Sequence, residues 1–286
     1  MKRKLKLSKK AKIFILSLFC VAIFFLGYNI IQNQHFEVNE ITIECETLPD
    51  DFQGYKIVQV SDLHNAEFGE NNSELLSAIK EQSPDIIVVT GDIVDSRRTN
   101  VQIARDFVIN ASEFAPIYYV TGNHEARVKV EDEIDNVPLN ENVIVLHNKD
   151  ILLEKGESAI QLIGVDDPDY KAVKDSTEYM SKRLEKYCSN EYFKILLSHR
   201  PELFEVYVEN NMNVIFSGHA HGGQFRLPFI GGVIAPHQGF FPTYDAGLFY
   251  ATNDATMVIS RGLGDSIIPL RINNPPELIV VTLEKK

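Results

Sequence analysis

Short aliphatic runs recur along this chain, and each one ends in a polar motif. The runs lie at 57–60, 86–89, 117–120, 195–197 and 214–216. Runs of that length, rich in Val and Ile, read as buried strands. Directly after them stand Asp62-Leu63-His64, Gly91-Asp92, Gly122-Asn123-His124, Ser198-His199 and Gly218-His219-Ala220-His221. The pattern therefore places Asp, Asn or His repeatedly at the C-terminal end of a strand. In open α/β sheets that edge is where ligands bind.

The rest of the body alternates in the same way. A first strand is expected over 40–46. Helices are expected over 73–82, 101–114, 176–187 and 202–209. They separate strands at 56–61, 85–90, 116–121, 193–197 and 213–216. A β-rich middle is expected at 143–146, 151–153 and 160–165. Residues 222–247, a mixture of Gly, Pro and aromatics, read as loop, and strands at 256–260 and 277–283 close the domain. Strands alternating with helices predict an α/β domain. There is no internal repeat and no low-complexity stretch.

The N-terminus breaks this pattern. Residues 13–31 carry no charge, and only Ser17 and Asn29 are clearly polar. As a helix they would span about 29 Å, close to the hydrocarbon thickness of a bilayer. Seven basic residues (Lys2, Arg3, Lys4, Lys6, Lys9, Lys10, Lys12) precede them, and Glu37 and Glu40 follow. The positive-inside rule then predicts a single-pass cell-membrane protein, with its N-terminus cytoplasmic and everything after Gln32 extracytoplasmic. A cleaved signal peptide is the alternative. Against it, the apolar stretch is longer than a usual signal core, and no small-x-small cleavage site follows. The expected organisation is a basic tail at 1–12, an anchor at 13–31, a linker and first strand at 32–55, and one domain at 56–286.

Charge narrows the partners. After the tail, the chain holds 21 basic and 40 acidic residues. A body that acidic excludes nucleic acid, whose phosphates require a basic surface. Of three cysteines, Cys20 lies in the apolar segment. Cys45 and Cys188 show no CxxC pattern and read as free or buried thiols, a disulfide between them being the alternative in an oxidising compartment.

Carboxylate and amide oxygens with several imidazoles at one strand edge predict a metal site, and one for two ions. Imidazole suits zinc, iron and manganese-class metals. Asp62 and His64, like His219 and His221, are two residues apart. In extended chain both members of each pair would point the same way.

These motifs resemble those of the calcineurin-like metallophosphoesterases: DLH at 62–64, GDIVD at 91–95, GNHE at 122–125, SH at 198–199 and GHAH at 218–221. GHAHGGQFRLPFIGG at 218–232, PTYDAGL at 242–248, SRGLG at 260–264 and NNPPEL at 273–278 resemble the membrane-associated YkuE/YaeI-like subgroup. The resemblance implies a metallo-dependent phosphatase β-sandwich flanked by helices. It implies two divalent ions (manganese, iron or zinc). One is held by Asp62, His64 and His221 and the other by Asn123, His199 and His219, with Asp92 bridging. It also implies hydrolysis by in-line attack of a bridging hydroxide, His124 as general acid and Asp95 as its orienting partner.

The protein phosphatases of that superfamily carry arginine directly after the last aspartate of GDxxD. This chain has Ser96 there, which does not support protein phosphatase activity. Arg97, Arg127 and Arg226 are candidate phosphate ligands or solvated surface residues, and His237 is a candidate pocket residue. The expected substrate is a phosphorylated small molecule or a lipid-linked envelope metabolite. Two readings compete: a phosphodiesterase acting on a small soluble substrate, and a non-catalytic metal-binding membrane scaffold.

Overall fold

The computed structural model describes residues 8–128, 141–171, 173–265 and 269–286. Lys2, Arg3, Lys4 and Lys6 of the expected basic tail lie outside the described residues. The first element is a helix, α1 (Lys9–Gln32). There follow β1 (Glu37–Cys45), β2 (Tyr55–Val60), α2 (Ser73–Gln82), β3 (Ile86–Thr90), α3 (Val101–Ala111), β4 (Ile117–Val120) and the short α4 (Asn123–Val128). Next come β5 (Val143–Val145), β6 (Lys149–Lys155), β7 (Ser158–Gly164), α5 (Ser176–Leu184), β8 (Phe193–Leu197), α6 (Phe204–Glu209) and β9 (Val214–Ser217). Four two-residue strands follow, β10 (Arg226–Leu227), β11 (Gly231–Gly232), β12 (Ile234–Ala235) and β13 (Gly239–Phe240). The described chain ends with β14 (Gly247–Tyr250), β15 (Thr256–Ile259) and β16 (Glu277–Lys285).

Two six-stranded sheets form the frame, in the orders β1-β16-β2-β3-β4-β5 and β14-β15-β9-β8-β7-β6. Strands β2 to β5 run parallel in the first sheet, and β7, β8, β9 and β15 run parallel in the second. The aliphatic runs are continuous because both faces of these strands are covered. Ile57, Val88 and Val120 of one sheet meet Leu162, Ile195, Leu197 and Phe216 of the other in a core between the sheets. The alternate residues Val58, Val60, Ile87 and Val89 turn outward to α2 and α3, through Leu75, Ile79, Phe107 and Val108. Leu196, Ile215 and Met257 turn outward to α5 and α6, through Met180, Leu184, Phe204 and Tyr207. The result is the expected β-sandwich flanked by helices.

The parallel strands deliver their C-terminal ends to one edge. Just beneath that edge, buried Gln59 ties the two sheets together. Its Nε2 donates to Thr90 Oγ1 at 3.0 Å in its own sheet and to Ser217 O at 2.9 Å in the other.

Helix α1 is one helix, among the described residues, long and apolar enough to cross a membrane. Its side chains are exposed all round up to Tyr28. Its last turns dock on the body instead. Asn29 is buried and accepts from Asn273 N at 3.0 Å, and Asn33 Nδ2 donates to Arg271 O at 3.2 Å.

One expectation needs adjustment, and the reading of the cysteines as free thiols stands. Strand β14 falls partly in the stretch read as loop, which also folds into two small hairpins. Cys45 is buried in the core between the sheets, while Cys188 Sγ lies 3.1 Å from Asn210 Oδ1. Both are free thiols, and no disulfide joins them.

The core between the sheets makes a quantitative demand. Leu162 is fully buried there. Leu162→Ala should lose about 2–5 kcal/mol of stability, as buried leucine truncations do. Urea unfolding of the detergent-solubilised chain should show a lower midpoint with an unchanged slope.

Candidate metal centre

At the shared edge the strands do not stay extended. Asp62, His64, Asp92, His219 and His221 all have left-handed backbone, with φ between 47° and 65°. Extended alternation therefore does not bring Asp62 and His64 together. A tight left-handed turn does, and it cups each pair of side chains around a point. Asp, Asn and His are the residues that tolerate this region best after glycine.

Glycines allow the turns to close on one another. A Cβ on Gly122 would lie 2.2 Å from Asp92 Oδ1, and one on Gly218 would lie 2.3 Å from Asp62 Oδ2. After β2 and β3 end, their loops remain paired, with Asp62 N donating to Gly91 O and His64 N to Asp92 O, each at 3.0 Å.

Two clusters of donors result. In the first, His64 Nε2 and His221 Nε2 face each other at 3.1 Å. Asp62 Oδ1 lies 3.2 Å from His221 Nε2 and 3.8 Å from His64 Nε2. In the second, His199 Nε2 lies 3.1 Å from His219 Nδ1. The Asn123 amide oxygen also faces His219 Nδ1, at 2.8 Å. Asp92 Oδ2 stands between the clusters, 3.2 Å from His199 Nε2 and 3.8 Å from His64 Nε2. All seven side chains are buried.

Lone pairs crowding lone pairs in a buried space are unfavourable unless a cation lies among them. The oxygen and nitrogen donor set fits divalent metals of the manganese, iron and zinc kind. The side-chain amide of Asn123, 2.8 Å from His219 Nδ1, borders the same space.

The surroundings fix which nitrogen faces inward. His199 Nδ1–H donates to Thr90 O at 2.7 Å, which leaves Nε2 for the site. His237 Nδ1 accepts from Arg200 Nη1 at 2.7 Å and lies 2.8 Å from His219 Nε2. Since Arg200 can only donate, His237 Nδ1 is an acceptor and His219 Nε2 holds its proton, so His219 turns Nδ1 inward. Arg200 is itself buried and paired with Asp167 and with Asp169. At the other cluster, buried Arg271 places Nη2 3.4 Å from His221 Nδ1.

His124 packs edge-on against His64, with ring centroids 4.4 Å apart. Its Nδ1 accepts from Ser96 N at 3.0 Å, while Asp95 Oδ1 lies 3.6 Å away, beyond a direct hydrogen bond. The Asp95 carboxylate is held mainly by Arg97, whose Nη2 approaches to 3.0 Å. Arg226 is committed to Asp245 at 2.9 Å. Arg127 lies beside Asn123 and 3.7 Å from Asp169. Glu125 is fully buried and accepts the backbone N–H groups of Asp92, Val94 and Gly122 at 2.8, 3.1 and 2.8 Å, so one carboxylate sets both ligand loops.

The sequence reading gave no role to Ser96, Glu125, Arg200 or Arg271. Glu125 stands inside GNHE and Arg200 directly after Ser198-His199, which is a weak signal for each. Ser96 stands at the position where the arginine of the protein phosphatases is missing.

Charge follows this geometry. Burial alone would raise the Asp62 carboxyl, but His221 and His199 hold it at about 2. Burial also opposes ionisation of Asp92, and His199 beside it keeps its carboxyl well below the usual range. Burial pushes His64 down to about 3 and lowers His124. Burial would lower His199 as well, but Asp92 outweighs it and raises the imidazole to about 10. In the metal-free protein a proton on His199 thus stands where a cation would.

A buried, doubly clustered set of carboxylate, amide and imidazole ligands at the edge of this sandwich defines a metal-dependent phosphoesterase. The chain belongs to the calcineurin-like phosphoesterase family, whose model matches residues 55–223. It is 32% identical to the "Uncharacterized metallophosphoesterase YkuE" of Bacillus subtilis, over 87% of this chain and 85% of that one. It is 28% identical to the "Phosphodiesterase YaeI" of Escherichia coli, over 80% and 82% of the two chains. It is 25% identical to a "Transmembrane protein with metallophosphoesterase domain" of Danio rerio, over 87% of this chain and 57% of that one.

As a metal ligand His199 would have to give up its proton, since only neutral imidazole ligates. Mn²⁺ affinity should therefore rise with pH, by up to about tenfold per unit below the His199 pKa. Calorimetry at pH 6.5 and 7.5, in buffers of different ionisation enthalpy, should show that rise together with proton release.

Proposed function

We propose that this chain is a membrane-anchored phosphoesterase that uses two divalent ions to hydrolyse a phosphate ester or pyrophosphate bond of a lipid-linked or envelope metabolite. The observation that carries the catalytic part is the place of Asp92 Oδ2 between two clusters of inward-facing donors. Asp62, His64 and His221 would hold one ion, Asn123, His199 and His219 the other, and Asp92 both. Ions so held would supply Lewis acidity, neutralising phosphate charge and lowering the pKa of a water.

The protein's own groups do the rest. His124 Nδ1 accepts from Ser96 N, so the neutral ring carries its proton on Nε2. Protonated on Nδ1 as well, with that N–H toward Ser96 Oγ and Asp95, the imidazolium would give its Nε2 proton to the leaving oxygen and return to a neutral ring, which makes His124 the general acid. Asp95, 3.6 Å from Nδ1, positions the ring by charge rather than by a direct hydrogen bond. Glu125 keeps the loops of Asp92 and Asn123 at their spacing.

The membrane part rests on α1 and on the chain's likeness to a protein named as transmembrane. Lys9, Lys10 and Lys12 at the start of α1 favour a cytoplasmic N-terminus, which puts the site outside the cell. A lipid-linked substrate fits a site tethered at a bilayer. The remaining division, a domain from 56 to 286 behind a linker and first strand at 32–55, follows the same reading.

One relative is named a phosphodiesterase, so a diester is the first substrate to offer. Detergent-solubilised full-length protein should hydrolyse bis-p-nitrophenyl phosphate with Mn²⁺, Zn²⁺ or Fe²⁺, and EDTA should abolish turnover. His124→Ala should lower kcat by about 10²–10⁴-fold while retaining bound metal, as loss of a general acid does. Asn123→Ala should lower both metal content and turnover. Metal bound without any turnover would point to a strictly lipid-specific enzyme or to the scaffold reading.

A further inference from the structure

Residues 222–241 fold into two hairpins at the rim of the metal centre. In one, β10 pairs with β11 around a tip that includes Phe229 and Ile230. In the other, β12 pairs with β13 around His237. Both are rooted on the loop that carries His221, since Val233 N donates to Gly223 O at 3.0 Å and Phe241 N donates to Val233 O at 2.8 Å. The hairpins leave Leu227, Phe229, Ile230, Phe240 and Phe241 exposed. A cluster of large apolar side chains held in water marks an interaction surface.

Two further observations say what covers it. First, the chain carries 40 acidic residues, yet 222–241 holds none and has one arginine. This rim is therefore free of the negative charge that would repel an anionic bilayer surface. Second, the hairpin and the apolar helix share one mooring. Arg226 N donates to Ile272 O at 3.0 Å and Asn273 Nδ2 to Arg226 O at 3.4 Å, while Asn273 N donates to Asn29 Oδ1 at 3.0 Å. Helix α1 turns from fully exposed and apolar to docked at Asn29, which places the bilayer surface close to segment 271–273. Phe229 lies three residues beyond Arg226, a reach of about 10 Å at strand spacing.

We infer that the two hairpins are a second membrane contact. Their apolar tips seat in the interfacial layer beside α1 and hold the mouth of the metal centre at headgroup level. This rests on the proposed anchorage by α1 and is independent of the identity of the substrate.

The chain has no tryptophan, so a single one reports its own surroundings. Full-length Phe229→Trp would be reconstituted in phosphatidylcholine vesicles with or without bromine on the acyl chains. Ile230→Trp would be run as a second reporter at the tip, and Phe19→Trp as a reporter within α1. Tyr250→Trp, exposed at the opposite edge of the sheets, would mark solvent. The expected result is blue-shifted emission, lost to bromolipid, at positions 19, 229 and 230 and not at 250. Quenching at 19 alone, with solvent-like emission at 229 and 230, overturns this inference and leaves the anchorage standing. No quenching at 19 either overturns both. Blue-shifted emission at 229 that bromolipid does not quench means that a second copy covers the tip, which also overturns the inference.

Discussion

Everything at the strand edge answers to one constraint: seven polar side chains from five loops occupy a buried space that only positive charge can make stable. Asp62 and Asp92 bring negative charge out of water, and the imidazoles bring lone pairs that face one another. Uncompensated, such groups would drive the loops apart. Without metal, a proton on His199 beside Asp92 would meet part of the need. The backbone carries the cost as well, since five of the seven residues sit in left-handed conformations at roughly 1–2 kcal/mol each. Strain of that kind persists where surrounding structure over-determines it, and it concentrates at functional sites.

The sheets supply that over-determination. Apolar side chains on both faces of β2, β3, β4, β8 and β9 lock the strands, so their ends have little freedom. Gln59 beneath the site and Glu125 behind it convert the position of one sheet into the position of the other and of the loops. The same economy reaches the N-terminal helix. Segment 271–273 holds the end of α1, the root of a rim hairpin and Arg271 beside His221. The end of α1 and the candidate metal centre are thereby mechanically close.

Most of this was legible in the sequence for a physical reason. Buried parallel strands must be aliphatic throughout, and a metal centre must draw on few residue types, so 86–89 followed by Gly91-Asp92 announces both a strand and, at its end, a side chain suited to a metal. The helix at 73–82 is legible from its amphipathic spacing. Features that depend on distant partners were not legible. Nothing local says that Asn29 in an apolar helix will meet Asn273, or that Arg200 will hold His237 against His219. The hairpins at 226–240 were hidden because two-residue strands have no periodicity to read. The pairing of Asp62 with His64 was expected from extended chain, and the backbone reaches it by a left-handed turn that side-chain pattern does not encode.

The central claim is that this cradle holds two ions with Asp92 between them. Anomalous diffraction from crystals of the full-length protein grown with Mn²⁺ tests it most directly. The account predicts two peaks about 3.5–4 Å apart. One should lie among Asp62, His64 and His221, the other among Asn123, His199 and His219, with Asp92 Oδ2 reaching both. A single peak, or a second ion held without Asp92, would contradict it.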